Sequence, residues 1–213
     1  MVRLEICAAA VSFPIPEAQW HRWIRPLPGA VVAGVSRLRR NEDRQRTLLG
    51  KLLLWYGAKR FGYPDPLWPD LFADAHGKPR LTGPLEFNIS HSGEHILCAL
   101  SDGGPVGIDV EQVDPLGADH LQDFLSTQEW HQIQQARDPV REGYRLWTMK
   151  EAALKADGRA LAPGLEVAVL AVGRATVQGR EWILTEIPLG ERYAAFLAHT
   201  SGQTPFYVPI EFS

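Results

Sequence analysis

Leucines at 48, 49, 52 and 53, with Tyr56 one turn further, repeat at the spacing of a helix that buries one face. The pattern predicts a helix from about Glu42 to Arg60. Asn41 stands at the cap, Glu42 and Asp43 suit the positive end, and Gly62 follows the close. Ahead of it, "MVRLEICAAAVSF" reads as a first strand rather than a signal peptide, because Glu5 interrupts a short apolar run and no convincing cleavage site follows. A Pro-rich loop, "GYPDPLWPD", comes after the helix. Three extended segments follow, "LEFNIS", "HILCALS" and "PVGIDVE", separated by the turn signals "HSGE" and "SDGGP". In "STQEWHQIQQA", Ser126 and Glu129 fit a capping box. A longer helix is predicted from Asp138, with Pro139 at a tolerated first position and Gly158 at its end. The tail, "LEVAVLAV", "EWILTEI", "RYAAFLAH" and "PFYVPIEF", reads as a β meander. The order is strand, helix and hairpin, then strand, two helices and a meander. It implies an α+β protein of two similar-sized lobes, residues 1–104 and 105–213.

Composition narrows the class. No apolar run reaches the length of a membrane span, so no membrane partner is expected. Cys7 and Cys98 lie in apolar settings and read as buried free thiols, a disulfide being the weaker alternative. Without a C-x-x-C pair, structural zinc is not expected, and the compartment expected is the cytoplasm. The net charge of −3 conceals an asymmetry: residues 1–100 carry 13 Lys and Arg against 9 Asp and Glu, whereas residues 101–213 carry 9 against 16. Such a division suits an anionic ligand held partly by Arg and Lys and partly through a cation on carboxylates. Chance variation is the plain alternative.

The sharpest chemical signal is "VGIDVE". On a strand, Asp109 and Glu111 point the same way, about 7 Å apart along the chain, while Ile108 and Val110 point the other way. Two such carboxylates repel unless a positive group sits between them, and an oxygen-only donor set favours Mg²⁺ or Mn²⁺ over zinc. The competing reading is a strand face turned to water. In "WTMKEAALKADGRAL", Trp147, Glu151 and Lys155 stand four apart and share one helix face. A surface Glu–Lys pair is worth only about 0.3–0.5 kcal/mol. The neighbouring Trp147 argues for a partly buried face, on which Glu151 would complete a three-carboxylate site and Lys155 would reach an anionic oxygen.

A third signal, "FNISHSG", places Ser90 and His91 where a strand enters a turn, a setting that can hold phosphate oxygens or be no more than a polar hairpin tip. Arg37, Arg39, Arg40, Arg44 and Arg46 cluster around the start of the first helix, and "HGKPRL" offers Lys78 and Arg80. No Walker-type phosphate loop and no G-x-S-x-G elbow is present.

Taken together, "RTLLGK", "GKPRL", "FNISHS", "GIDVE" and "WTMKEAALKADGRAL" occur in the order and spacing of one family. From about Arg37 to Leu161 the sequence strongly resembles the 4′-phosphopantetheinyl transferases, specifically the larger two-lobed type similar to the surfactin-synthetase activator. The resemblance implies two pseudo-symmetric α/β lobes with the active site in the cleft between them. It implies transfer of the phosphopantetheine arm of coenzyme A to a serine of an acyl or peptidyl carrier protein, with release of adenosine 3′,5′-bisphosphate. By motif, Asp109, Glu111 and Glu151 would hold Mg²⁺, with Mn²⁺ as a substitute. Glu151 would also serve as base and Lys155 would stabilise the leaving phosphate. Arg46, Thr47, Lys78, Pro79, Ser90, His91, Asp109 and Lys155 would contact the coenzyme, with Arg37 a further candidate for its 3′-phosphate. Thr148 stands where relatives often have Ser, and the arginines before the first helix fall later than the lysines of some relatives. A monomer is expected by the same analogy.

Leu116 and Phe124, in "QVDPLGADHLQDFL", are candidates for touching the carrier. Two other readings compete. A metal-dependent nuclease or phosphodiesterase also uses paired acids and a lysine. The lysine commonly found two residues after the second acid is here Val113, however, and the charge of −3 argues against nucleic acid. The other is a non-catalytic carrier-binding homologue.

Overall fold

The structure is a computed structural model that describes residues 2–115, 121, 125–159, 167–170 and 173–212. In chain order the described elements are strand β1 (Leu4–Ala10) and helices α1 (Glu17–Ile24), α2 (Gly29–Ser36) and α3 (Asn41–Arg60), followed by the short strands β2 (Leu71–Ala73) and β3 (Pro79–Leu81). Strands β4 (Glu86–Ser92), β5 (His95–Ser101) and β6 (Val106–Gln112) precede helices α4 (Thr127–Gln134) and α5 (Pro139–Asp157). The chain ends with β7 (Val167–Leu170), β8 (Arg174–Val177), β9 (Arg180–Glu186), β10 (Tyr193–His199) and β11 (Phe206–Pro209). The class is mixed α+β.

Two sheets form the frame. One has the order β11-β1-β5-β4, the other β6-β10-β9-β8-β7. Alternation along the strands sorts their residues into successive cores. Cys7, Cys98 and Leu100 point toward α3 and meet Leu48, Leu49 and Leu53. From the opposite face of the same strands, Ile6, Leu97 and Ala99 meet Ile108, Val110 and Leu197 of the second sheet. Beyond that sheet, Phe196 and Trp182 meet Met149, Ala153 and Leu154 of α5. The layers therefore run helix, sheet, sheet, helix, and strands β1, β5 and β10 are apolar on both faces because both faces are covered.

Several expectations hold. Ser126 and Glu129 close a reciprocal capping box on α4. Asp138 caps α5, Pro139 opens it, and Gly158 ends it at φ 84°. Both cysteines are free and buried. Others need correction. Asn41 is the first residue of α3 and not its cap; Arg40 holds that place and makes no side-chain cap bond. Tyr56 leaves the core stripe and is exposed, while Leu54 is buried in its stead. Helices α1 and α2, each preceded by a proline, occupy a stretch in which no element was foreseen. The last strand does not extend the meander: β11 pairs in parallel with β1 in the first sheet. Leu116, Phe124 and Leu161 lie outside the described residues.

Candidate active site

The site lies where the edge strand β4 of one sheet meets the edge strand β6 of the other. The apolar residues of β6, Val106, Ile108 and Val110, face the core between the sheets, so alternation turns Gly107, Asp109 and Glu111 toward α5. Gly107 is required here by proximity. A Cβ on it would stand 2.1 Å from the Ala152 carbonyl oxygen and 2.2 Å from the Ala156 nitrogen, so the helix backbone lies directly on the strand. The adjoining face of α5 carries the Lys155 ammonium onto Asp109, with Glu151 one turn before it and within reach of the Asp109 charge.

Asp109 is 2% exposed. Its Oδ1 accepts from Ser90 Oγ at 2.9 Å and from the Lys155 ammonium, while its Oδ2 is buried without a hydrogen-bond partner. Burial and then the Asp109 charge push the Glu111 carboxyl up to about 7, although a hydrogen bond from Ser92 and the charge of Lys155 pull the other way. Burial and Asp109 likewise raise Glu151, which is half-buried, and Lys155 opposes the rise. For Lys155, burial is the largest influence and lowers its proton affinity. Asp109, Glu151 and Glu111 together outweigh it, and the ammonium is held above its usual range. Three carboxylates and one ammonium thus share one electrostatic neighbourhood, with the acids in excess.

Among the described residues no three His, Cys, Asp or Glu side chains are gathered at metal-ligand spacing. The donor set nevertheless fits a hard divalent cation. Asp109 Oδ2 is an orphaned buried oxygen, the donors are all carboxylates, and both glutamates are held short of easy ionisation, first by burial and then by the Asp109 charge.

The remaining predicted residues separate into two groups. His91 is the penultimate residue of β4, which ends at Ser92 before the turn at Gly93 and Glu94, so it falls where the strand enters its turn. Burial first, then the cations Arg46 and Lys155, lower its affinity for a proton. The Arg46 guanidinium donates to the Gly93 carbonyl at 2.9 Å, pairs with Glu42 at 3.1 Å and lies over the Phe13 ring. Thr47 beside it is half-buried, and Arg37 is exposed at the end of α2. Lys78 does not face solvent. Its ammonium is buried and donates to the backbone carbonyls of Val106 and Lys155, tying the start of β6 to the end of α5. Burial and the neighbouring Arg80 lower its pKa to about 8. Exposed Pro79, with Lys78, Asn88, Lys155 and Arg159, lines a cavity of about 200 Å³. Trp147 is half-buried and packs beside Leu121, Tyr144 and Ala194.

The sequence reading missed two residues of this junction. Asn88 and Ser92 flank Ser90 at alternate positions of β4, and all three side chains accept hydrogen bonds from backbone N–H groups of β6. The signal was a polar residue at every second position of "FNISHS".

Residues 105–199, which hold β6, α5 and therefore all four charged groups, match the family model of the 4′-phosphopantetheinyl transferase superfamily. A 4′-phosphopantetheinyl transferase of Bacillus subtilis is 36% identical over 130 residues, which cover 59% of this chain and 57% of that protein. The 4′-phosphopantetheinyl transferase psf-1 of Bacillus pumilus is 34% identical over 138 residues, covering 62% and 58%. The 4′-phosphopantetheinyl transferase AcpT of Salmonella typhi is 34% identical over 138 residues, covering 62% of this chain and 67% of its own length. The chain belongs to the 4′-phosphopantetheinyl transferase superfamily. It spans a little over half the length of the two Bacillus relatives. Within the superfamily match, Asp109 and Glu111 come from the strand and Glu151 and Lys155 from the helix laid on it. Among the described residues no helix is long and apolar enough to cross a membrane.

Proposed function

We propose that this chain transfers the 4′-phosphopantetheine group of coenzyme A to a serine hydroxyl of an acyl or peptidyl carrier protein and releases adenosine 3′,5′-bisphosphate. The observation that carries the proposal is the buried Asp109. One of its oxygens is held by Ser90 and Lys155 and the other is unpartnered, beside the two reluctant acids Glu111 and Glu151. The relatives' printed names supply the reaction class.

In this reading Asp109, Glu111 and Glu151 hold Mg²⁺, or Mn²⁺ in its place. The bound ion would neutralise charge on the coenzyme A pyrophosphate. The chain's own residues do the rest. The carrier serine oxygen forms a bond to the phosphorus that bears pantetheine, and the bond from that phosphorus to the bridging oxygen breaks. Lys155, held as an ammonium, faces the negative charge that grows on the departing phosphate. The serine proton passes to Glu151, directly or through water, because a serine hydroxyl is a poor nucleophile at neutral pH. Burial and the Asp109 charge raise the proton affinity of Glu151 in the metal-free chain, and a bound cation would lower it again, since a carboxylate that also binds metal is a weaker base. Pro79 and the cavity beside Lys155 offer a place for part of the nucleotide, with Arg46, Thr47 and His91 toward its phosphates.

The same reading takes residues 1–104 and 105–213 as two lobes with the coenzyme in the cleft between them, β11 crossing back to the first. It also takes the protein to act as a cytoplasmic monomer. The direct test is intact-mass measurement of an apo carrier incubated with the protein, coenzyme A and Mg²⁺. A gain of one phosphopantetheine is expected, and unchanged mass across fatty-acid, polyketide and nonribosomal-peptide carriers would refute the proposal.

A further inference from the structure

Strand β6 is an edge strand, and its outward N–H groups at Ile108, Val110 and Gln112 would be left without a ladder partner. Asn88 Oδ1, Ser90 Oγ and Ser92 Oγ accept from them in turn, at 2.9, 3.3 and 3.0 Å. The spacing of two on both strands makes this a ladder of side chains to backbone, joining one sheet to the other. The two serines do something more. Each accepts from an N–H and donates its own proton to the carboxylate of the residue before it: Ser90 to Asp109 at 2.9 Å, Ser92 to Glu111 Oε2 at 3.0 Å. A hydroxyl used in both directions has little rotational freedom left, so the carboxylate it grips is fixed in orientation relative to the strand.

From this geometry we infer that Ser92 is a positioning residue for Glu111: it holds one carboxylate oxygen so that the other stays available to the divalent cation. The inference rests on the metal-site part of the proposed function. Ser92 acts on Glu111 and not on substrate, and its effect must vanish when Glu111 can no longer ligate. The second task, accepting from Gln112, is replaceable, because Gln112 is exposed and water can reach its N–H. Removing the hydroxyl should therefore loosen the ligand more than the fold.

The experiment is a Mn²⁺ titration followed by electron paramagnetic resonance, on the full chain with coenzyme A present. Ser92→Ala should weaken Mn²⁺ binding by about tenfold, the usual scale for losing a hydrogen bond behind a metal ligand. Ser92→Thr, which keeps the hydroxyl, should restore affinity to within about threefold of wild type on the same scale. In a Glu111→Gln background, Ser92→Ala should add less than about a twofold loss, since coupled residues are non-additive. If Ser92→Ala folds poorly, Ser92→Cys replaces it, with circular dichroism as the check. Equal losses in both backgrounds, no loss in Ser92→Ala, or a wild type that binds no Mn²⁺ would each overturn the inference. A wild type that binds Mn²⁺ but loads no carrier would sink the transferase reading alone and leave the role of Ser92 standing.

Discussion

Helices α3 and α5 are nearly equal in length, at 20 and 19 residues, and each covers the outer face of one sheet. They pack by different means. Helix α3 fills space: Leu48, Leu49, Leu52, Leu53 and Leu54 are buried, and polar contacts hold its two ends, where Gln45 clasps the Ile15 backbone and Arg46 reaches Gly93 near the start and Arg60 pairs with Glu5 of β1 at the close. Helix α5 also buries Met149 and Leu154, but it sets small residues against β6. Ala152, Ala153 and Ala156 are buried, and the backbone comes down onto Gly107. Bulky side chains tolerate some repacking; a backbone laid directly on a backbone has no side chain to yield and fixes distance. That is why the groups whose separation matters, Glu151 and Lys155, are carried by α5. Both helices stabilise the fold, and the contrast assigns alignment of the site to α5.

The sharpest way to break that contrast is a pair of substitutions. Gly107→Ala forces a methyl into the α5 backbone, and no side chain can yield. It should lower stability by about 3 kcal/mol or more and cut turnover of the protein that remains folded. Leu53→Ala, in the core under α3, should cost about 3 kcal/mol of stability by leaving a cavity, yet leave turnover per folded molecule within about twofold. Denaturant melts paired with active-site-normalised rates would show it; equal effects on rate would end the distinction.

Next in size are the charges. Asp109→Asn should reduce carrier loading by at least about a hundredfold, the usual scale of losing a group aimed at transition-state charge, while circular dichroism stays native. Lys155→Ala should act mainly on turnover and little on the coenzyme A KM. A shift confined to KM would reassign Lys155 to binding.

A smaller effect is expected from pH. The Glu111 carboxyl is about 7 in the folded chain against 4.5 as its ordinary value, so between those values the unfolded chain has lost a proton that the folded chain still holds. The contribution of this group to the stability of the metal-free protein should fall as pH rises from about 5 to about 8, by no more than about 3 kcal/mol. Burial lowers the proton affinity of His91, His95 and His199, so their contributions slope the other way. Glu111→Gln should remove the falling part. Thermal melts across this range with a chelator present are the check, and a slope unchanged in the variant would contradict the assignment. Smallest of all, Ser126→Ala removes one half of the α4 capping box, at a cost of about 1 kcal/mol with no change in turnover.

Local chemistry was legible in the sequence and long-range geometry was not. The box at Ser126, the start of α5 at Asp138 and its left-handed stop at Gly158 are each settled within a few residues by backbone hydrogen-bonding needs. Period two placed Asp109 and Glu111 on one face, and period 3.6 placed Glu151 and Lys155 on another. That the two faces meet depends on Gly107 beneath Ala152 and Ala156, a contact across some 45 residues of sequence that no local pattern carries. The same holds for β11, whose own pattern fits a meander equally well and whose place beside β1 is decided by tertiary packing. Helices α1 and α2 follow Pro16 and Pro28, which make no side-chain cap, and α2 is rich in Val and Gly, so neither carries a strong helix signal in sequence. Asn41, a good capping residue, lies one position inside the helix it was expected to open.

The central claim is that two carboxylates from β6 and one from α5 converge on a single divalent ion in the presence of coenzyme A. Crystals grown with coenzyme A and Mn²⁺, measured for the anomalous signal of manganese, test it most directly. The account predicts one peak within ligand distance of Asp109, Glu111 and Glu151, with the Lys155 ammonium turned from Asp109 toward a phosphate oxygen. A peak elsewhere, or Glu151 directed away from a peak held by the other two, would contradict it.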